Sequence, residues 1–126
     1  MSFSDYLETE ILDHVFGGNA YSAPATLYVG LFTAAPNETG GGTEVSGGSY
    51  ARETVAFTVS GNTASNTADV EFPTATANWG TITDIAIFDA STGGNMMAYA
   101  TLTASKAIQT GDVFRIPTGD LDITLD

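Results

Sequence analysis

From about residue 25 onward the chain is punctuated at short, regular intervals. Runs rich in Val, Ile, Thr, Phe and Tyr are each stopped by Gly, Pro, Asn or Asp, as in "ATLYVGLFTAAP", "YARETVAFTV", "ASNTADVEFP" and "NMMAYATLT". β-branched and aromatic side chains fit a pleated, half-buried surface, and the punctuating residues supply turns. About six to eight short strands at this spacing predict a mainly β protein, an antiparallel β-sandwich of jelly-roll-like type. At 126 residues the chain is expected to form one domain, residues 1–126, with the sandwich over about 25–126.

One stretch breaks the pattern. In "SDYLETEILDHVFGG" the apolar residues Leu7, Ile11, Leu12, Val15 and Phe16 recur at helical spacing. Ser2 or Ser4 can cap the start, Asp5 and Glu8 suit the positive end of the dipole, and Gly17 and Gly18 end the run. The expectation is one N-terminal α-helix over about 4–16, with an apolar stripe to be buried on the sandwich or on a partner.

The strands differ in how far they are buried. Leu27, Val29 and Leu31 alternate with Tyr28 and Phe32, which suits a strand covered on both faces, with the helix over one of them. In "ASNTADVEFP", Ala68, Val70 and Phe72 point inward and Asp69 and Glu71 outward. "ITDIAIFDA" and "NMMAYATLT" flank the turn "DASTGG" and read as a hairpin, with "SKAIQTGD" as a separate strand and turn. At the end Leu121, Ile123 and Leu125 alternate with Asp122, Thr124 and Asp126.

The stretch "GGGTEVSGGSY", Gly40 to Tyr50, is dense enough in glycine to suggest a phosphate cradle. Such a cradle needs a following helix and a Lys with Ser or Thr. Here a strand-like segment follows, the nearest cation is Arg52, and Glu44 inside the loop would repel phosphate. The stretch reads instead as a long mobile loop between strands.

Charge narrows the partners. Fifteen Asp and Glu stand against Lys106, Arg52 and Arg115, a net charge of −12. A surface of that sign repels nucleic acid and anionic membranes. There is no cysteine, so disulfides and thiol chemistry are excluded. The N-terminus lacks the basic and apolar regions of a signal peptide.

Candidate chemistry is thin. His14 is the sole histidine, and no "GxSxG" elbow accompanies the serines. No spacing selects a carboxylate pair for glycoside hydrolysis; Asp69, Glu71, Asp122 and Asp126 read as solvent faces of strands. Asp89–Asn95, or Asp120 with Asp122, could offer oxygen ligands to calcium, but no EF-hand pattern is present. Trp79 with Tyr50 or Tyr99 could form a sugar-stacking platform, although Trp79 opens the most apolar strand, where a core tryptophan belongs. The expectation is no enzyme, no catalytic residue, no cofactor and no metal.

Several blocks together carry a resemblance: "SDYLETEILDHVFGGNAYSAPATLYVGLFTAAP", "GGTEVSGGSYAR", "FPTATANWGTITDIAIFDASTGGNMMAYATLT" and "GDLDITLD". In this order they resemble small virion proteins of tailed bacteriophages, the "phage tail fibre protein" family. The resemblance implies a structural protein of the virion with no catalytic motif. It leaves two placements, of which the short, globular, repeat-free and acidic chain favours the first. One is a capsid decoration or cement protein that stabilises the head through the major capsid protein. The other is a tail or tail-fibre component that contacts the host surface, with carbohydrate binding as an option. Its partners would be other virion proteins and further copies of itself, a trimer among the options, with no nucleic acid and no membrane. In such an assembly the Gly-rich arm would order against a neighbour. Glu44 lies in that arm, Tyr50 and Arg52 form its root, and Leu7 and Ile11 of the helix are the second expected contact.

Overall fold

Alternation and turn chemistry produce a mainly antiparallel β structure with a single N-terminal helix. The computed structural model describes residues 1–125; Asp126, expected on the solvent face of the last strand, lies outside them. In chain order the elements are β1 (Ser2–Phe3), α1 (Asp5–Val15), β2 (Leu27–Ala34), β3 (Thr43–Glu44), β4 (Glu53–Val55) and β5 (Phe57–Ser60). They continue with β6 (Thr63–Asn66), β7 (Val70–Glu71), β8 (Gly80–Phe88), β9 (Met96–Ile108), β10 (Arg115–Ile116) and β11 (Asp122–Thr124).

The main sheet runs β1-β9-β8-β2-β3, with β4 also paired to β2. Two small sheets, β10-β7 and β11-β6-β5, form the second layer, so that half of the expected sandwich is divided. The core lies between the layers. Val29, Leu31, Ile85 and Ile87 from the main sheet meet Val70, Phe72, Ile116 and Leu121 from the other side. Phe32, Ala86, Phe88 and Met96 form a smaller cluster on the opposite face of the main sheet. The strand β2 is therefore covered on both faces, as its apolar alternation requires.

The helix is built as its sequence dictates. Ser4 Oγ accepts from Leu7 N at 3.2 Å, Asp5 and Glu8 occupy the first turn, and His14 the last. The Ser4 hydroxyl also donates to the Met96 carbonyl, which ties the helix start to β9. Only its first turns are covered, however: Tyr6 and Leu7 pack against the core, and none of its residues is fully buried.

Two segments read as single strands divide, and two read as separate strands merge. "YARETVAFTV" breaks at Ala56: β4 belongs to the main sheet and β5 to a small one, so the segment crosses between layers. "ASNTADVEFP" splits into β6 and β7 around Asn66, a buried residue that uses its whole amide. Its Nδ2 donates to the Ala68 and Pro117 carbonyls, and its Oδ1 accepts from Gly119 N and Leu121 N. Conversely, "NMMAYATLT" and "SKAI" are one strand, β9, because the ladder with β8 resumes beyond a register shift at Ile82–Asp84.

Candidate functional site

The Gly-rich segment is not the free arm its composition suggests. Thr43 and Glu44 pair with β2, and Val45 is buried. The Gly48 carbonyl accepts from Thr76 N at 3.0 Å and from Trp79 Nε1 at 2.8 Å. Glycine is required at that second anchor. Gly48 has φ +59°, and a Cβ there would stand 2.9 Å from Trp79 Nε1. The glycines thus serve close approach at one end, while the polar cluster at the other end fixes the loop to the sheet.

That cluster unites three of the five sequence candidates. Arg52 Nε and Nη2 donate to Glu44 Oε2 and Oε1, each at 2.8 Å, a bidentate ion pair. Arg52 Nη1 donates to the carbonyls of Ala90 and Gly93, both at 2.9 Å, so the β8–β9 turn is held as well. The guanidinium carbon lies 3.5 Å from the centre of the Phe88 ring. Tyr50 Oη donates to Glu44 Oε2 at 2.7 Å and accepts from Leu31 N at 2.9 Å. Gly30 makes room beneath: a Cβ there would meet Glu44 Oε2 at 2.9 Å and Phe88 Cε2 at 3.0 Å.

The electrostatics follow from this geometry. Burial pushes the Glu44 carboxyl up, but hydrogen bonds from Arg52 and Tyr50 outweigh it and hold the group below its ordinary value. Burial, reinforced by the hydrogen bond to Glu44, drives the Tyr50 phenol far above its ordinary range, so it remains a donor. Of the three basic residues, Arg52 is spent on Glu44, and Arg115 pairs with Asp69 at 3.0 Å. Thr118, through its backbone N and its hydroxyl, then Arg115, holds the Asp69 carboxyl below its usual range.

The other two candidates, Leu7 and Ile11, lie on the half-buried side of α1, away from this cluster. Beyond them the helix carries its apolar stripe into solvent. Leu12 is 59%, Val15 61% and Phe16 82% exposed. Leu7 itself lines a groove of about 400 Å³ between the helix, the main sheet and the β5–β6–β11 sheet. Phe57, Val59, Ile123 and Leu125 form its far wall, and none of its lining residues among those described is charged. Sequence reasoning missed the groove because its walls come from segments far apart in the chain. The stripe itself was legible; where it lost its cover was not.

The Nδ1 of His14 lies 2.9 Å from the Asn19 carbonyl on the exposed helix end. Among the described residues, no three His, Asp or Glu side chains gather as a metal ion would require. The Asp89 carboxylate accepts from Asn95 N and Nδ2, and Asp122 accepts from Ser65 Oγ. The sugar platform is not formed. Trp79 is 5% exposed, packed edge-on against Tyr50 at 5.4 Å, and Tyr99 belongs to the cluster on the other face of the sheet.

The described residues thus form a small, mainly antiparallel β protein whose part-buried polar groups fasten its own loops and whose helix end exposes Leu12, Val15 and Phe16. The family model described as "Podophage GP4 fiber I protein gp80" matches residues 2–124, and the chain belongs to that family. It is a bacteriophage fibre-type protein, a virion component. No curated protein matches the chain in sequence.

Proposed function

We propose that the protein is a non-enzymatic structural component of a tailed-phage particle, placed in the fibre apparatus of the tail. The observation that carries the reading is the fibre-family match over residues 2–124. The internal chemistry supports it. The strongest polar constellation, Glu44–Tyr50–Arg52, spends its hydrogen bonds on Leu31, Ala90 and Gly93 and holds the fold. Its partners are other tail proteins and further copies of itself. Contact with the host surface would be made by outer loops, since Trp79 offers no ring face for a sugar.

A second reading places the protein on the head as a decoration or cement protein bound to the major capsid protein. Size and charge favour it: the chain is short and repeat-free, and its −12 charge suits a protein displayed in many copies toward solvent.

Immunogold labelling of purified particles, with mass spectrometry of the same preparation, separates the two. Label at the tail is the expected result. Label spread over the heads transfers the assignment to decoration. Absence of the protein from the particles overturns both.

A further inference from the structure

We infer that the exposed helix end of one copy, Leu12 to Phe16, seats in the apolar groove of a second copy. Three observations carry this. The helix end is a projection whose Leu12, Val15 and Phe16 touch no core, although their spacing is that of a buried face. The groove is its complement, an apolar recess of about 400 Å³ lined by Leu7, Phe57 and Val59 among others. Leu7 lies on the same rigid helix, so the projection cannot fold back into its own groove and must use that of another molecule.

Charge limits where two copies can meet. Copies of a −12 chain repel wherever their acids meet, so self-contact is confined to uncharged surface. The groove has no charged lining residue among those described, and at the helix end the Asp13 carboxylate is turned aside to accept from Asn19 Nδ2 at 2.8 Å.

Area selects the form. Seating the three side chains removes about 250 Å² from each projection, and the groove wall loses a similar area. One such contact buries about 500 Å² in total, below the roughly 1,000 Å² a specific interface needs. A closed assembly in which every copy both gives a helix end and receives one doubles that figure for a pair.

The test is sedimentation of the full chain from micromolar to sub-millimolar concentration. A reversible oligomer is expected, and it should tighten with added salt, because salt screens like charges. Phe16→Asp and Val59→Asp should each weaken association by more than about tenfold, since each puts a charge into an apolar contact. Both positions are exposed, at 82% and 72%, so melting temperatures taken at a dilution where the wild type is monomeric should stay unchanged and report that the fold is intact. Leu12→Asp provides a second variant on the helix. Mixing Phe16→Glu with Val59→Lys should restore a mixed oligomer. The inference is overturned by a chain that stays monomeric, by an oligomer that either single variant leaves intact, or by a monomer whose groove holds a small apolar molecule in native mass spectrometry. None of these outcomes depends on whether the protein sits on head or tail, so each leaves the proposed placement standing.

Discussion

The Tyr50 hydroxyl accepts the Leu31 backbone N–H at 2.9 Å, and so fills a gap in the hydrogen-bond ladder along the edge of β2. β4 pairs with β2 at Leu27 to Val29, and β3 takes over only at Phe32. Between them Leu31 has no strand partner on that side for its N–H. Its carbonyl is met by Val45 N, also at 2.9 Å. A side chain completes the sheet where two short strands fail to join.

Tyr50→Phe should therefore cost about 1–3 kcal/mol, because a buried N–H loses its acceptor and Glu44 loses a donor. A fall in Tm of roughly 5–15 °C is expected in thermal melts followed by circular dichroism. The ring stacks on Phe72 at 6.2 Å, and phenylalanine keeps that contact, so the loss belongs to the hydroxyl. An unchanged Tm would mean that another acceptor reaches Leu31.

The Glu44–Arg52 pair gives a signed dependence on pH. The folded pKa of Glu44 is lowered, so the native state binds fewer protons than the unfolded state in acid. Its stabilisation is complete above the unfolded value of about 4.3 and is lost as pH falls through the folded value. Wild type should exceed Glu44→Gln by a constant margin near neutrality, and the margin should shrink below about pH 4.5. Burial raises the pKa of Glu53, which acts in the opposite direction, but both variants share it. Denaturant titrations across this range check the point; a margin that does not change with pH would remove the carboxylate from the account.

Arg52→Lys should destabilise nearly as much as Arg52→Ala. A lysine cannot reproduce the fork to Glu44 together with the donations to Ala90 and Gly93. Besides a lower Tm, amide hydrogen exchange should rise in the β8–β9 turn. Full retention of stability in the lysine variant would show that charge alone suffices.

Two adjacent glycines should respond differently to alanine. Gly47 has φ +74° with open space around it, so Gly47→Ala costs only the backbone term, about 1–2 kcal/mol. Gly48→Ala carries that cost and also drives a methyl against Trp79. Trp79 fluorescence should shift in the second variant and not in the first. Equal responses would mean that the loop yields without disturbing the indole.

Asn66→Ala should be among the most damaging single changes. It strands the Ala68 carbonyl and the Leu121 N–H, and takes one of two partners from the Pro117 carbonyl and the Gly119 N–H, where β6, β7 and the segment before β11 meet. A loss of several kcal/mol is expected, read as reduced yield of folded protein or a large drop in Tm.

Much of this was legible from local pattern. The single helix, its Ser4 cap, the alternation of Leu27, Val29 and Leu31, and the turn in "DASTGG" all follow from rules that act over a few residues. The candidates Glu44, Tyr50 and Arg52 were visible because charge and aromaticity are rare around a Gly-rich stretch. What they do there was not visible, because the carbonyls of Ala90 and Gly93 lie 38 and 41 residues away in the chain.

The sequence by itself determined the element types, the mainly β class and the acidic surface, since propensity, period and charge are properties of neighbouring residues. Tertiary structure decided which side chains share a layer. It split "YARETVAFTV" between two sheets, turned the Gly-rich loop from an arm into a fastening, and buried Trp79 beneath it. It also left Leu12, Val15 and Phe16 without cover, because α1 packs only its first turns against the start of β9. Each of these outcomes depends on contacts between distant segments, and periodicity along the chain carries no record of them.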